Sequence, residues 1–176
     1  MRNIPGDAHF LTYSCYRNRP FLKGPRACSW FCESLSKSCV DHDVALWGYV
    51  IMPEHPLVKP RRLEYSIGSF HKSVKSSVAL KAYSYRQRSN KPDSVWEPFY
   101  DVAPDGCGHF RFWQRGSGYD HNVASLSGLP EILNYIHQNP VRRGLCTQAS
   151  DWPWSSAADY CEHSTGPVAI ERLQIF

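Results

Sequence analysis

Hydrophobic and polar positions along the chain follow two alternating periods. "HFLTYSCY" (9–16) is dense in aromatic and β-branched residues and predicts a strand, with "RNRP" behind it as a basic turn. After Pro20, the segment 24–43 sets Ala27, Phe31, Leu35 and Cys39 four apart, one stripe of a helix. "VALWGYVIM" (44–52) is nearly continuous apolar sequence, as in a central strand, and "LVK" (57–59) predicts a short partner strand directly behind Pro56. Ile67, Phe70, Val74, Val78, Ala82 and Tyr85 recur at three and four, so 65–88 predicts an amphipathic helix with lysines on its other face. Turn-forming residues dominate 89–118, which predicts loops with a few short strands, and 119–125 predicts a last strand.

Helical signals then return. Ser127 can cap, Pro130 suits a first turn, and Leu129, Ile132, Leu133 and Ile136 form the inward stripe, with Pro140 expected to end the helix at or near Asn139. "DWPWSSAADY" (151–160) predicts an aromatic segment lying against the body. The resulting order is strand, helix, strand, strand, helix, loops, strand, helix. It predicts an α+β domain of the split β-α-β type, a ferredoxin-like antiparallel sheet with helices packed on it. One domain is expected over 1–176, with a core of about 8–160 and a tail of 161–176.

Composition adds constraints. With 42% hydrophobic and 20% charged residues the chain can bury a core. No apolar run approaches the roughly 20 residues of a membrane span, and "MRNIPGDAHF" lacks an export pattern, so a cytoplasmic protein is expected. Seven cysteines are scattered. Cys28 and Cys32 sit four apart on a predicted helix, where packing as small hydrophobes is expected, and "CGH" (107–109) has no second ligand pair to make a structural zinc site. Charge is uneven: between Lys59 and Lys91 nine basic residues meet only Glu64, which points to a polyanion or to a solvated helix face.

Chemistry concentrates in "LNYIHQNPVRRGL" (133–145). Tyr135 and Asn139 are i and i+4, about 6 Å apart along a helix axis and on nearly the same face, beside the inward stripe. A tyrosine that attacks phosphorus needs an activated phenol and a phosphate held by a cation, which an amide oxygen one turn away can help to bind. Taken alone, the same pair also fits a boundary tyrosine and a helix-ending asparagine.

Five blocks in order, "HFLTYSCYRNRPFL", "WGYVIMPEH", "FWQRGSGYDHNV", "YIHQNPVRRGL" and "DWPWSSA", resemble the REP-associated tyrosine transposases, single-tyrosine HUH transposases that act on single-stranded DNA. The resemblance runs over roughly residues 8 to 160. It implies a ferredoxin-like sheet carrying two metal-binding histidines in a His-hydrophobic-His pattern, and a catalytic tyrosine on a late helix with a polar ligand one turn on. Position by position, it implies Tyr135 as nucleophile and His55 and Asn139 as ligands of Mg²⁺ or Mn²⁺. The tyrosine would leave a 5′-phosphotyrosine link and a free 3′-hydroxyl.

The chain departs from that pattern at "MPEHPLVKP", where the second histidine is missing and Leu57 stands in its place. Glu54 points to the opposite face of a regular strand and can substitute only if Pro56 forces a bulge. Three arrangements stay open: a relative that binds DNA and cuts poorly, a rearranged ligand set that includes Glu54 or another histidine, or a site that dispenses with metal. Candidate phosphate contacts are Arg17, Arg19, Lys59, Arg61, Arg62, Lys72, Lys75, Arg142 and Arg143. Trp113 and Tyr119 are stacking candidates, with core packing the alternative for both. Two functions follow: a DNA strand transferase acting on single-stranded or hairpin DNA of the repetitive extragenic palindrome type, or a non-catalytic nucleic-acid-binding module of the same fold. A monomer or a homodimer is compatible with either.

Overall fold

The structure, a computed structural model, describes residues 8–54, 56–61, 67–102, 106–116, 118–123, 128–161 and 165–172, with backbone alone over 56–61 and 121–123. Four strands form one sheet: β1 (Ala8–Thr12), β2 (Ala45–Ile51), β3 (Pro56–Arg61) and β6 (Tyr119–Val123), in the order β2-β3-β1-β6. Every neighbouring pair is antiparallel. With α1 (Pro25–Asp41) between β1 and β2, and α2 (Ile67–Gln87) between β3 and β6, this is the expected ferredoxin-like arrangement. A two-stranded ribbon, β4 (Tyr100–Val102) with β5 (Gly108–Phe110), is inserted before β6, and α3 (Leu129–Arg142) follows it.

Strand alternation divides the apolar residues between two faces. Leu11, Tyr13, Tyr49 and Ile51 join Phe31 and Leu35 of α1 and Phe70, Val74 and Val78 of α2 in the main core. On the other face, Val50 and Met52 pack with Ile136 of α3, bordered by Phe10, Ile132 and Trp152. Ala8 and Trp47 meet Leu129 at the start of that helix. The helix that carries the tyrosine therefore has one side of the sheet largely to itself.

Prolines behave as their missing N–H requires. Pro56 opens β3 opposite Ile51, and Pro60 lies opposite Leu46, where a bulge shifts the register between Leu46 and Gly48. The outer edge of β2 is covered by the C-terminal segment: Ile51 N–H donates to Trp154 O at 2.8 Å, Ser156 N–H to Tyr49 O at 3.0 Å and Glu171 N–H to Leu46 O at 2.8 Å. Val168 is buried in the main core, so the expected tail beyond 160 is in part structural.

Two boundary expectations fail. β1 stops at Thr12, because Cys15 and Tyr16 turn their N–H groups to Glu54 O and Phe112 O instead of a strand ladder. Pro140 does not end α3, which runs on to Arg142. A proline removes one backbone donor, and Pro140 is itself buried among the inward residues, so packing holds the turn. Termination falls to Gly144, whose φ of 66° suits a left-handed helix end. Ser127, the expected cap, lies outside the described residues.

Candidate nucleic-acid interface

Gly48 lets α3 approach β2 closely. A Cβ there would stand 2.6 Å from Leu133 Cδ2. The approach turns Leu133 and Ile136 inward and leaves Tyr135 on the flank, 45% exposed. Its ring meets Phe10 of β1 edge-on at 6.1 Å, and Phe10 in turn meets the exposed Tyr119 of β6 at 6.4 Å. The guanidinium of Arg142 lies 5.2 Å from the Tyr135 ring centroid. Asn139 is half-buried, and its Nδ2 donates to Tyr135 O at 2.7 Å. That bond uses the donor side of the carboxamide, not the oxygen that would hold a cation.

Arg143 follows the helix and reaches Glu54 at the end of β2, Nη2 to Oε1 2.5 Å. The loop before His55 and the end of the tyrosine helix are thus tied together. The turn Tyr16–Asn18, where Arg17 and Asn18 have φ of 54° and 53°, follows Cys15, which is bonded to that loop. Cys15 N–H donates to Glu54 O at 2.7 Å and Leu22 N–H to Pro53 O at 2.9 Å, which fixes Arg17 and Arg19 beside it. Arg17 is exposed, and its backbone N–H donates to Gln114 Oε1 at 3.0 Å.

Sequence reasoning missed two arginines here. Asp101 of β4 accepts from Arg111 Nε at 2.5 Å, Arg115 Nη2 at 2.6 Å and Tyr16 Oη at 3.0 Å. Arg111, Tyr16 and Arg115 hold the Asp101 carboxyl down at about 2, so it stays ionised and keeps both guanidinium groups in place. Arg111 and Arg115 flank an aromatic run, but their partner lies ten or more residues back in a loop-rich segment, and no spacing rule points to it.

The other expected phosphate ligands divide. Lys72 is exposed on α2, on the far side of the sheet from Tyr135. Lys75 is engaged by carbonyls, Nζ donating to Gly116 O at 2.7 Å and Gln114 O at 3.3 Å, and desolvation lowers its pKa. Lys59 and Arg61 lie on β3, where only the backbone is described; Arg62 and His55 are outside the described residues. Of the stacking candidates, Trp113 is buried in the core and Tyr119 is 59% exposed.

A Mg²⁺ or Mn²⁺ site built from protein needs several converging hard donors. Among the described residues no three His, Cys, Asp or Glu side chains converge, and Glu54 is held by Arg143. The described residues do not make up such a site.

No protein-family model matches the chain. A REP-associated tyrosine transposase of Escherichia coli (strain K12) is 30% identical over 63 residues, 36% of this chain and 38% of that relative's length. The matched stretch thus spans little more than a third of the curated relative. A solved structure of a REP-associated tyrosine transposase bound to a REP hairpin superposes with a TM-score of 0.66 at 18% identity, covering 100% of this chain and 92% of that one. The fold of this chain is therefore that of the hairpin-bound transposase. No helix among the described residues is long and apolar enough to cross a membrane.

Proposed function

We propose that this chain is a transposase-like DNA-binding protein that takes single-stranded or hairpin DNA across the α3 side of the sheet, with Tyr135 as its nucleophile. The observation that carries the reading is the exposed phenol with the Arg142 guanidinium over its ring, on a helix whose end Arg143 ties to Glu54. A helix tyrosine kept only for packing would turn inward with Leu133 and Ile136.

In this reading Arg17, Arg19, Arg115 and Arg142 take backbone phosphates, while Tyr119 and Phe10 offer ring surface to unstacked bases. The phenol oxygen of Tyr135 attacks phosphorus as its proton departs to solvent. A P–O bond to tyrosine forms, the P–O3′ bond breaks, and the 3′-oxygen leaves with the electron pair and takes up a proton. The product is a 5′-phosphotyrosine link and a free 3′-hydroxyl. Asn139 fixes the turn from which the phenol projects. A divalent ion, where bound, would supply polarisation of the phosphate; His55 and Asn139 are the residues proposed to hold it, and no step here passes through it. A cytoplasmic location suits a protein that works on DNA.

A second reading, a binding module that does not cut, is favoured by the Glu54–Arg143 pair, which occupies the carboxylate nearest the missing histidine. A labelled hairpin with single-stranded flanks separates the two. The first reading expects a covalent protein–DNA adduct in denaturing gels that disappears in Tyr135→Phe. Salt-sensitive binding without adduct at any Mg²⁺ or Mn²⁺ concentration would leave only the module.

A further inference from the structure

We infer that the side of α3 next to Tyr135 carries a pocket for a single unstacked nucleobase. An open cavity of about 430 Å³ lies between α3 and the segment 147–161. Asn134 and Gln138 line it from the helix, Thr147 and Gln148 from across, and Val141 supplies an apolar wall. Its inner end is His137, 9% exposed, whose Nε2 lies 2.9 Å from Ser156 Oγ. Ser156 Oγ also accepts from Tyr49 N–H at 2.9 Å, so the floor is fixed to β2.

The chemistry of the lining selects the ligand class. No Lys, Arg, Asp or Glu is among the lining residues, so the cavity wall holds no carboxylate and no permanent cation while rich in donors and acceptors. Asn134 and Gln138 are i and i+4, so their amides stand one above the other. Neither amide is engaged by another described residue. Gln148 is held in place by the backbone of the turn it caps. Side-chain amides of this kind bind the N6/N7 edge of adenine through two hydrogen bonds.

Arg142 follows Gln138 by one helical turn, and its guanidinium lies 5.2 Å from the ring centroid of Tyr135, the neighbour of Asn134 in sequence. An amide-lined cavity without acidic or basic chains in its wall, one helical turn from the Arg142 guanidinium, matches a nucleotide, with the base inside and its phosphate toward that cation. The inference rests on the nucleic-acid reading for its ligand and adds where one base is held, with adenine the preferred base.

The test uses the whole chain and DNA hairpins with four-nucleotide flanks, each flank position made abasic in turn, read by fluorescence anisotropy. Wild type should lose about tenfold in affinity when one particular adenine is removed. The double variant Asn134→Ala, Gln138→Ala should bind the intact hairpin as weakly as wild type binds that abasic one, with an unchanged urea midpoint. Hairpin binding with no position-dependent loss, or the same loss in the double variant, overturns the pocket. If wild type binds no hairpin at all, the nucleic-acid reading fails by itself, and the pocket is judged by titrating deoxyadenosine monophosphate against the side-chain NH₂ resonances. Shifts at Asn134 and Gln138 support it, and their absence overturns it.

Discussion

His71 shows how a single side chain can be kept at a cost to stability. It is 3% exposed, its ring tilted by 56° against that of Tyr13 at 4.8 Å, and neither ring nitrogen meets a hydrogen-bond partner among the described residues. Burial brings its pKa down to about 4, with Lys75 and His9 acting in the same direction and Asp120 opposing them. The folded state thus excludes a proton that the unfolded chain takes up below pH 6.5. Stability is full above that value, falls as the pH drops from 6.5 to 4, and levels off below, by about 3 kcal/mol for this group. His137 adds a second contribution of the same sign and window. Replacing His71 with leucine should remove its share of the acid loss in urea titrations at pH 7 and pH 4.5. It should also raise stability at pH 7 by about 1 kcal/mol, because two buried polar atoms without partners are removed. A variant that retains the full acid slope would show that other groups set it.

Among the elements, α3 shows how much is legible in the chain and how much is not. Its inward stripe and the outward position of Tyr135 can be read from spacing alone, as can the helices around Phe31 and Val74. Its end cannot: a proline rule puts the stop at Asn139, yet Pro140 is buried and the helix reaches Arg142, because tertiary packing outweighs one missing hydrogen bond. The Glu54–Arg143 pair is equally hidden, since its members are 89 positions apart. Partial exposure limits that pair to about 1 kcal/mol or less. Its consequence is for binding: Glu54 offsets the charge that Arg143 could offer a phosphate. Glu54→Gln should therefore leave the urea midpoint nearly unchanged and tighten hairpin binding several-fold at low salt. Arg143→Gln should weaken it. Equal affinities for the two variants would mean that neither residue faces the DNA.

At the scale of the whole molecule the cations fall on different surfaces, a division invisible in the charge count. By charge alone the stretch from Lys59 to Lys91 is either a polyanion site or a solvated helix face, and most of it belongs to α2, packed on the opposite side of the sheet from Tyr135. Lys75 is taken up by loop carbonyls, and Lys81 pairs with Glu33 of α1. The exposed guanidinium groups proposed to meet DNA come instead from three separate stretches, Arg17, Arg115 and the pair at 142 and 143, and of these Arg142 lies over the Tyr135 ring. Arg17, Arg142 and Arg143 can be read as candidates from the sequence, whereas Arg115 comes to notice only through its fold partner Asp101. Counterion release makes the difference measurable, because each phosphate left without its cation reduces the slope of log K against log salt by about 0.7 to 0.9. Arg17→Ala and Arg115→Ala should each lower that slope by about one and weaken binding without regard to sequence. Lys72→Ala, on the helix layer, should change neither slope nor affinity, and the reverse outcome would move the DNA to the other face of the sheet and remove Tyr135 from its path.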